Sequence, residues 1–296
     1  MAKKNIQAYQ IDLHYLGKKE DGNEVDKVKW DADKFEKVLK HIHNKSIHDR
    51  QKKFNGWFTF LDELIIEDKV ILGKFRYAEY GFKSDLIHSE TLLTRENPRN
   101  IKEGEEKYIH FFVRKLDGLL LIQGDIKLNR AKVSEYINSI GEEEIQKQGL
   151  TFILVSYLLR KDFFAELEAL ERSKAFILEV TKESLSGENE VIRELQNQVM
   201  EMEGNEVQLI FQAKYLKKGL QKVNFFVNKY KDKPGIKNIK VVGNQSGAER
   251  IIDLDKQNEK YTGNFQTDEN NMVISEDMYS KMREIGEGRH ILGRRD

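Results

Sequence analysis

The sequence predicts an α+β protein: a mixed β-sheet with covering helices, joined to a smaller α/β C-terminal region. Two observations predict it. Apolar or alternating stretches of strand length are interleaved with short amphipathic stretches of helical spacing. The local charge also changes sign near residues 181–187, the expected boundary between an N-terminal α+β domain (1–181) and a C-terminal α+β domain with a basic helix (188–296). A chain of 296 residues is long enough for one large domain or two modest ones.

Ile11, Leu13 and Tyr15 alternate with Gln10, Asp12 and His14, the period of a half-buried strand. A turn region at Gly22-Asn23 follows. Asp31 is placed to cap a helix whose Phe35, Val38, Leu39 and Ile42 share one face. Residues 57–60 and 70–77 read as strands, and polar residues 83–106, with Pro98, as a loop. KYIHFFVRKLDGLLLIQGD predicts a hairpin turning at Asp117-Gly118. Asn129 is an N-cap for AKVSEYINSI, with Val133, Tyr136, Ile137 and Ile140 on one face. TFILVSYLL is apolar on both faces and predicts a central strand. A short helix from Asp162 to Leu170 and a strand from Lys174 to Val180 complete the first half. Near the C-terminus, IIDLD and YTGNF suggest a hairpin. Ser275 is a good cap for a last helix with Met278, Met282 and Ile285 on one face, and GEGRHILGRRD after it is expected to fray.

Composition excludes several classes. With 39% hydrophobic and 34% charged residues at zero net charge, wholesale disorder is excluded. The absence of cysteine rules out disulfides, thiolate zinc sites and cysteine nucleophiles, and fits a reducing cytoplasm. The start, MAKKNIQAYQIDLHYL, lacks the continuous apolar core of a signal peptide, and no run reaches the roughly 18 apolar residues of a membrane helix, so no direct membrane insertion is expected. Phosphate-loop, dinucleotide-binding and serine-hydrolase glycine motifs are absent. Gly243-Asn244-Gln245-Ser246-Gly247 reads as a tight turn. His41, His43 and His48 sit in HIHNKSIH, but helical residues two apart point away from each other. They suit a helix end better than a metal site, and no metal or cofactor is expected.

One enzymatic alternative is a divalent-metal-dependent nuclease. Gln212-Ala213-Lys214 has the acid-or-glutamine, spacer, lysine spacing of a catalytic strand, and Glu201 or Glu203 would supply a carboxylate from the other arm of a hairpin turning at Gly204-Asn205. Glutamine is a weak, neutral metal ligand, and an alternating strand shows Gln and Lys to solvent in any case.

Charge asymmetry is the strongest feature. Residues 182–206 carry seven acids (Glu183, Glu188, Glu190, Glu194, Glu201, Glu203 and Glu206) against Lys182 and Arg193. Then nine lysines follow within 27 residues: Lys214, Lys217, Lys218, Lys222, Lys229, Lys231, Lys233, Lys237 and Lys240. Only Asp232 opposes them, and nine minus one leaves +8. LKKGLQKVNFFVNKYKDK predicts an amphipathic helix backed by Leu216, Leu220, Val223, Phe226 and Val227, with lysines spaced to follow phosphates and Tyr215 and Tyr230 adding hydroxyls. The cluster has no arginine, the usual reader of guanine edges, so binding is expected to ignore sequence. The plainer alternatives are a solvated helix face or a protein–protein (anti-defence) module in which the acidic and basic stretches dock a partner.

Two landmarks, LLLIQGD followed by NRAKVSEYINSI and a long apolar strand, and EVQLIFQAKY leading into a helix, resemble the RexA phage-exclusion and KwaB (Kiwa antiphage system) group. The likeness covers residues 107–285 and rests on element order and short matches. It implies a self-associating, non-enzymatic binder of double-stranded DNA in an antiphage-defence or phage-exclusion system. It also implies a homodimer or higher oligomer and a small membrane-protein partner. Lys214, Lys217, Lys218 and Lys222 become the first candidates for phosphate contacts, and Lys229 to Lys240 the next.

Overall fold

The computed structural model describes residues 1–18, 24–159, 163–181, 201–202, 206–215, 217–231, 233 and 236–292. The α+β class holds. β1 (Ala2–Lys18) pairs antiparallel with β2 (Glu24–Val28). Its alternation predicts one wet face, yet Gln10, Asp12 and His14 are buried beside Ile11 and Leu13. His14 is accommodated by Asp26, 2.9 Å from its Nδ1, and by stacking on Phe152 at 4.0 Å. α1 (Ala32–Asn44) starts where Asp31 accepts from the Lys34 amide at 3.1 Å, and it buries Phe35, Val38, Leu39 and Ile42 as their spacing predicts. His41 and His43 fall in its last turn.

β3 (Lys52–Phe54), β4 (Trp57–Ile66) and β5 (Val70–Glu79) form an antiparallel ladder. The expected loop after β5 contains a small hairpin of β6 (Leu86–Ile87) and β7 (Thr94–Arg95). β8 (Glu106–Arg114) and β9 (Leu119–Gln123) then turn through Asp117 and Gly118. Gly118 has φ +77°, and a Cβ there would lie 2.8 Å from the Trp30 ring, so both backbone and space favour glycine. α2 (Arg130–Ile140) is capped by Asn129, which accepts from the Lys132 amide at 3.2 Å. α3 (Glu142–Lys147) and β10 (Phe152–Tyr157) follow.

The later elements are α4 (Phe163–Glu168), β11 (Arg172–Thr181), β12 (Glu206–Gln212), α5 (Val223–Tyr230), β13 (Ile236–Gln245), β14 (Ala248–Asp253), β15 (Lys260–Phe265) and α6 (Ser275–Gly288). Among the described residues, nine strands make one sheet, in the order β10-β1-β9-β8-β5-β4-β3, with β15 and β2 also pairing β1. A second sheet runs β12-β11-β13-β14. Two strand expectations change. β10 ends the sheet order instead of lying at its centre: two apolar faces report cover on both faces, not neighbours on both edges. β14 pairs β13 through a tight Ser246-Gly247 turn, whereas β15 pairs β1, so IIDLD and YTGNF are not one hairpin.

The chain divides into two compact units: Met1–Ile6, Ile11–Ile153 and Thr262–Asp296 in the first, Gln7–Gln10 and Leu154–Tyr261 in the second. No single cut near 181–187 gives a discontinuous division of this kind. Charge sign marks surface, whereas compactness follows buried apolar faces.

In the first unit, β8 serves both faces of the sheet. Phe111 and Val113 line an apolar hollow with Phe35 and Leu39 of α1 and Val133 and Ile137 of α2. Residues of the other parity meet α6: a Cβ at Gly286 would touch the Phe112 ring at 2.6 Å, and His110 Nε2 lies 2.8 Å from Ser275 Oγ. Ser275 therefore does not cap its helix; the N-cap position is Ile274, and the Ser275 hydroxyl is engaged by His110. The end of α6 and the residues after it are held as well. Arg114 donates to the carbonyls of Gly286, Arg289 and His290, and Asp117 accepts from the Leu292 amide at 2.8 Å.

Candidate nucleic-acid interface

In the second unit, Phe176, Leu178 and Val180 of β11 and Ile239 and Val241 of β13 form the buried face of the four-stranded sheet. α5 lies on that face, where Val223 and Val227 are buried and the Phe176 and Phe226 rings are 6.5 Å apart. β12 stands at the end of the strand order and pairs β11 from Ala175↔Gln212 to Thr181↔Glu206. The basic segment leaves this strand.

The expected helix begins later than the sequence pattern suggests. After Gln212 the chain bends at Lys214 and turns through Lys217 and Lys218. The Lys218 and Gly219 amides both reach the Tyr215 carbonyl at 3.1 Å. Gly219 has φ +65°, Leu220 donates to the Ser173 carbonyl at 2.7 Å, and Lys222 has φ +59°. Two left-handed residues and a bridge to β11 prevent a helix from continuing through them, so helix forms only from Val223 to Tyr230. Leu216 lies outside the described residues, and the Leu220 backbone is bridged to Ser173 instead of belonging to the helix.

The nine lysines separate by environment. Lys214, Lys217, Lys218, Lys222, Lys229 and Lys233 are exposed. Lys231 and Lys237 are partly buried and already engaged. Lys240 is paired with Glu179 on the sheet face opposite α5, and this hydrogen bond raises its pKa. Six of the nine thus present their charge outward, in a loop, at the start of a helix and near its end. An acid also lies close: Glu168 accepts from the Asn224 side chain at 3.4 Å.

The nuclease arrangement is not brought together. Glu203 lies outside the described residues, and Glu201 has helical backbone, not the strand expected of a hairpin arm. The residue opposite Gln212 is Ala175 of β11, and the Ala213 amide donates to the Lys174 carbonyl at 2.9 Å. The nearest acid on that face of β11, Glu179, is bound by Lys240 and Gln208. Among the described residues, no group of three or more His, Asp or Glu side chains is placed to hold a metal ion.

Aromatic exposure is the feature that sequence reasoning missed. Phe211, Tyr215, Phe225 and Phe226 all lie at the surface among these lysines. The signal was present in Phe225-Phe226: adjacent helical residues point about 100° apart, so a helix this short cannot bury both. Lys214 Nζ sits 5.6 Å from the Tyr215 ring centre, and Lys229 Nζ sits 5.4 Å from that of Tyr230. No helix among the described residues is long and apolar enough to cross a membrane. No protein-family model matches the chain, and no curated protein matches it in sequence.

Proposed function

We propose that the chain is a non-enzymatic, sequence-independent DNA-binding component of an antiphage-defence or phage-exclusion system, acting in the cytoplasm. The observation that carries the binding half is the set of six exposed lysines at 214, 217, 218, 222, 229 and 233, opposed in the sequence between Lys214 and Lys240 by Asp232 alone. Cations displayed this way neutralise phosphates and release counterions without reading bases. The defence half rests on the resemblance to the RexA and KwaB group. With zero net charge, the chain as a whole adds no attraction for a polyanion beyond this patch. A homodimer would combine two patches and steepen the salt dependence, and a small membrane-protein partner belongs to the same reading.

The test is an anisotropy titration of the full chain with random-sequence DNA at two salt concentrations. Binding should weaken with salt, and the double variant Lys217→Glu, Lys218→Glu should lower the slope of log affinity against log salt by roughly 2. No binding, or tight binding indifferent to salt, overturns the proposal.

A further inference from the structure

We infer that this surface takes single-stranded nucleic acid in preference to duplex. The inference deepens the DNA-binding reading and rests on it. Phosphate contacts alone require cations and nothing apolar, and a duplex keeps its base faces stacked inside. The lysines here are interleaved with aromatic side chains that are 51% (Phe211), 64% (Tyr215), 60% (Phe225) and 38% (Phe226) exposed. Such exposure is unfavourable in water unless something covers the rings.

Three of these rings, Phe211, Phe225 and Phe226, are joined in one cluster. Phe176, at the centre, lies 6.1 Å from Phe211 and 6.5 Å from both Phe226 and Tyr230. Phe225 meets Phe226 edge-on at 5.4 Å, and Phe226 stacks with Tyr230 at 6.4 Å. The result is a run of aromatic faces from the sheet edge onto α5, anchored by a buried ring, with Lys229 Nζ 5.4 Å from the Tyr230 ring centre and the exposed Lys222 immediately before the helix. Unpaired bases stacked on aromatic faces, with the backbone held by lysines, satisfy both halves of this surface, and stacking tolerates any base. The charge around the patch favours a polyanion over an apolar protein surface as the cover.

The experiment compares one labelled random-sequence oligonucleotide, single-stranded and annealed to its complement, against the full chain at fixed salt. The single strand should bind more tightly. Phe225→Ala and Phe211→Ala, both at exposed positions, should each weaken single-strand binding about tenfold, with duplex binding nearly unchanged. Phe225→Trp should restore it. Equal affinity for both forms, unmoved by these variants, overturns the inference and leaves the DNA-binding reading standing. Loss of both forms together in the variants also overturns it, since the rings would then act through the fold. Failure to bind either form sinks the underlying reading. Self-association abolished by Phe225→Ala, without nucleic-acid binding, would assign the rings to a protein interface and refute the inference.

Discussion

The hydroxyl of Tyr136 serves two backbone groups at once, accepting from the Leu61 amide at 2.9 Å and donating to the Arg50 carbonyl at 2.8 Å. Its ring is buried edge-on against Phe75. Tyr136→Phe keeps the ring but leaves both backbone groups unpaired, at an expected cost of about 1–3 kcal/mol. Trp30 and Trp57 are the chain's two tryptophans and both belong to the first unit, so tryptophan fluorescence during urea unfolding reads this cost there. An unchanged midpoint refutes the assignment. His110 gives a pH signature in the same unit. Burial holds its pKa below the usual 6.5, with Lys74 lowering it further and the Gln123 hydrogen bond and Glu63 opposing. The unfolded chain then takes up a proton that the folded protein resists. Stability is full above pH about 6.5 and falls as pH drops below it towards the folded pKa. The carboxylates of Glu36, Glu63, Glu67 and Glu79 are lowered from 4.5 and act at lower pH than His110. Between the unfolded and folded pKa values of His110, the midpoint temperature of the fluorescence transition should fall as the solution is acidified. His110→Gln should flatten the fall, and parallel curves for the two proteins would contradict the account.

At the scale of elements, α5 owes its length to Lys222. A non-glycine residue in the left-handed region is disfavoured by roughly 1–2 kcal/mol. Lys222→Gly relieves that cost, offset in part by glycine's greater freedom when unfolded. Hydrogen exchange across α5 should therefore stay level or slow, while DNA affinity falls with the lost charge; faster exchange would show that Lys222 holds the helix start by contacts. Elements with a short-range signature were legible in the sequence: Asp31 and Asn129 as caps, Asp117-Gly118 and Ser246-Gly247 as turns, and the apolar stripe of α1. What was not legible depends on distant partners. Nothing local to YTGNF says that it pairs β1 and not β14. Ser275 has the chemistry of a cap, but a histidine 165 residues away claims its hydroxyl. The lysines of the candidate site could all be read from sequence. Which of them remain exposed depended on Glu179 reaching Lys240 across two strands, and the exposed rings depended on where the helix began.

For the whole molecule, net charge and continuity along the chain are poor guides to organisation, because the first unit is closed by a segment from the far end of the sequence. Met278 and Met282 of α6 are fully buried, Gly286 admits the Phe112 ring, and Arg114 and Asp117 bind the residues beyond. Truncation before Ser275 should abolish the cooperative fluorescence transition of the first unit, not merely lower its midpoint. A truncated chain that unfolds like the intact one would show α6 to be dispensable. The same discontinuity dictates an order of events during synthesis. Residues 154–274 must be translated after most of the first unit has emerged and before α6 appears. At translation rates of about 5–20 residues per second, that is on the order of ten seconds. Through that interval the β8 surface carrying His110 and Phe112 is uncovered on the nascent chain, a natural point of hold for a chaperone. A ribosome stalled anywhere in the second unit leaves the first one open.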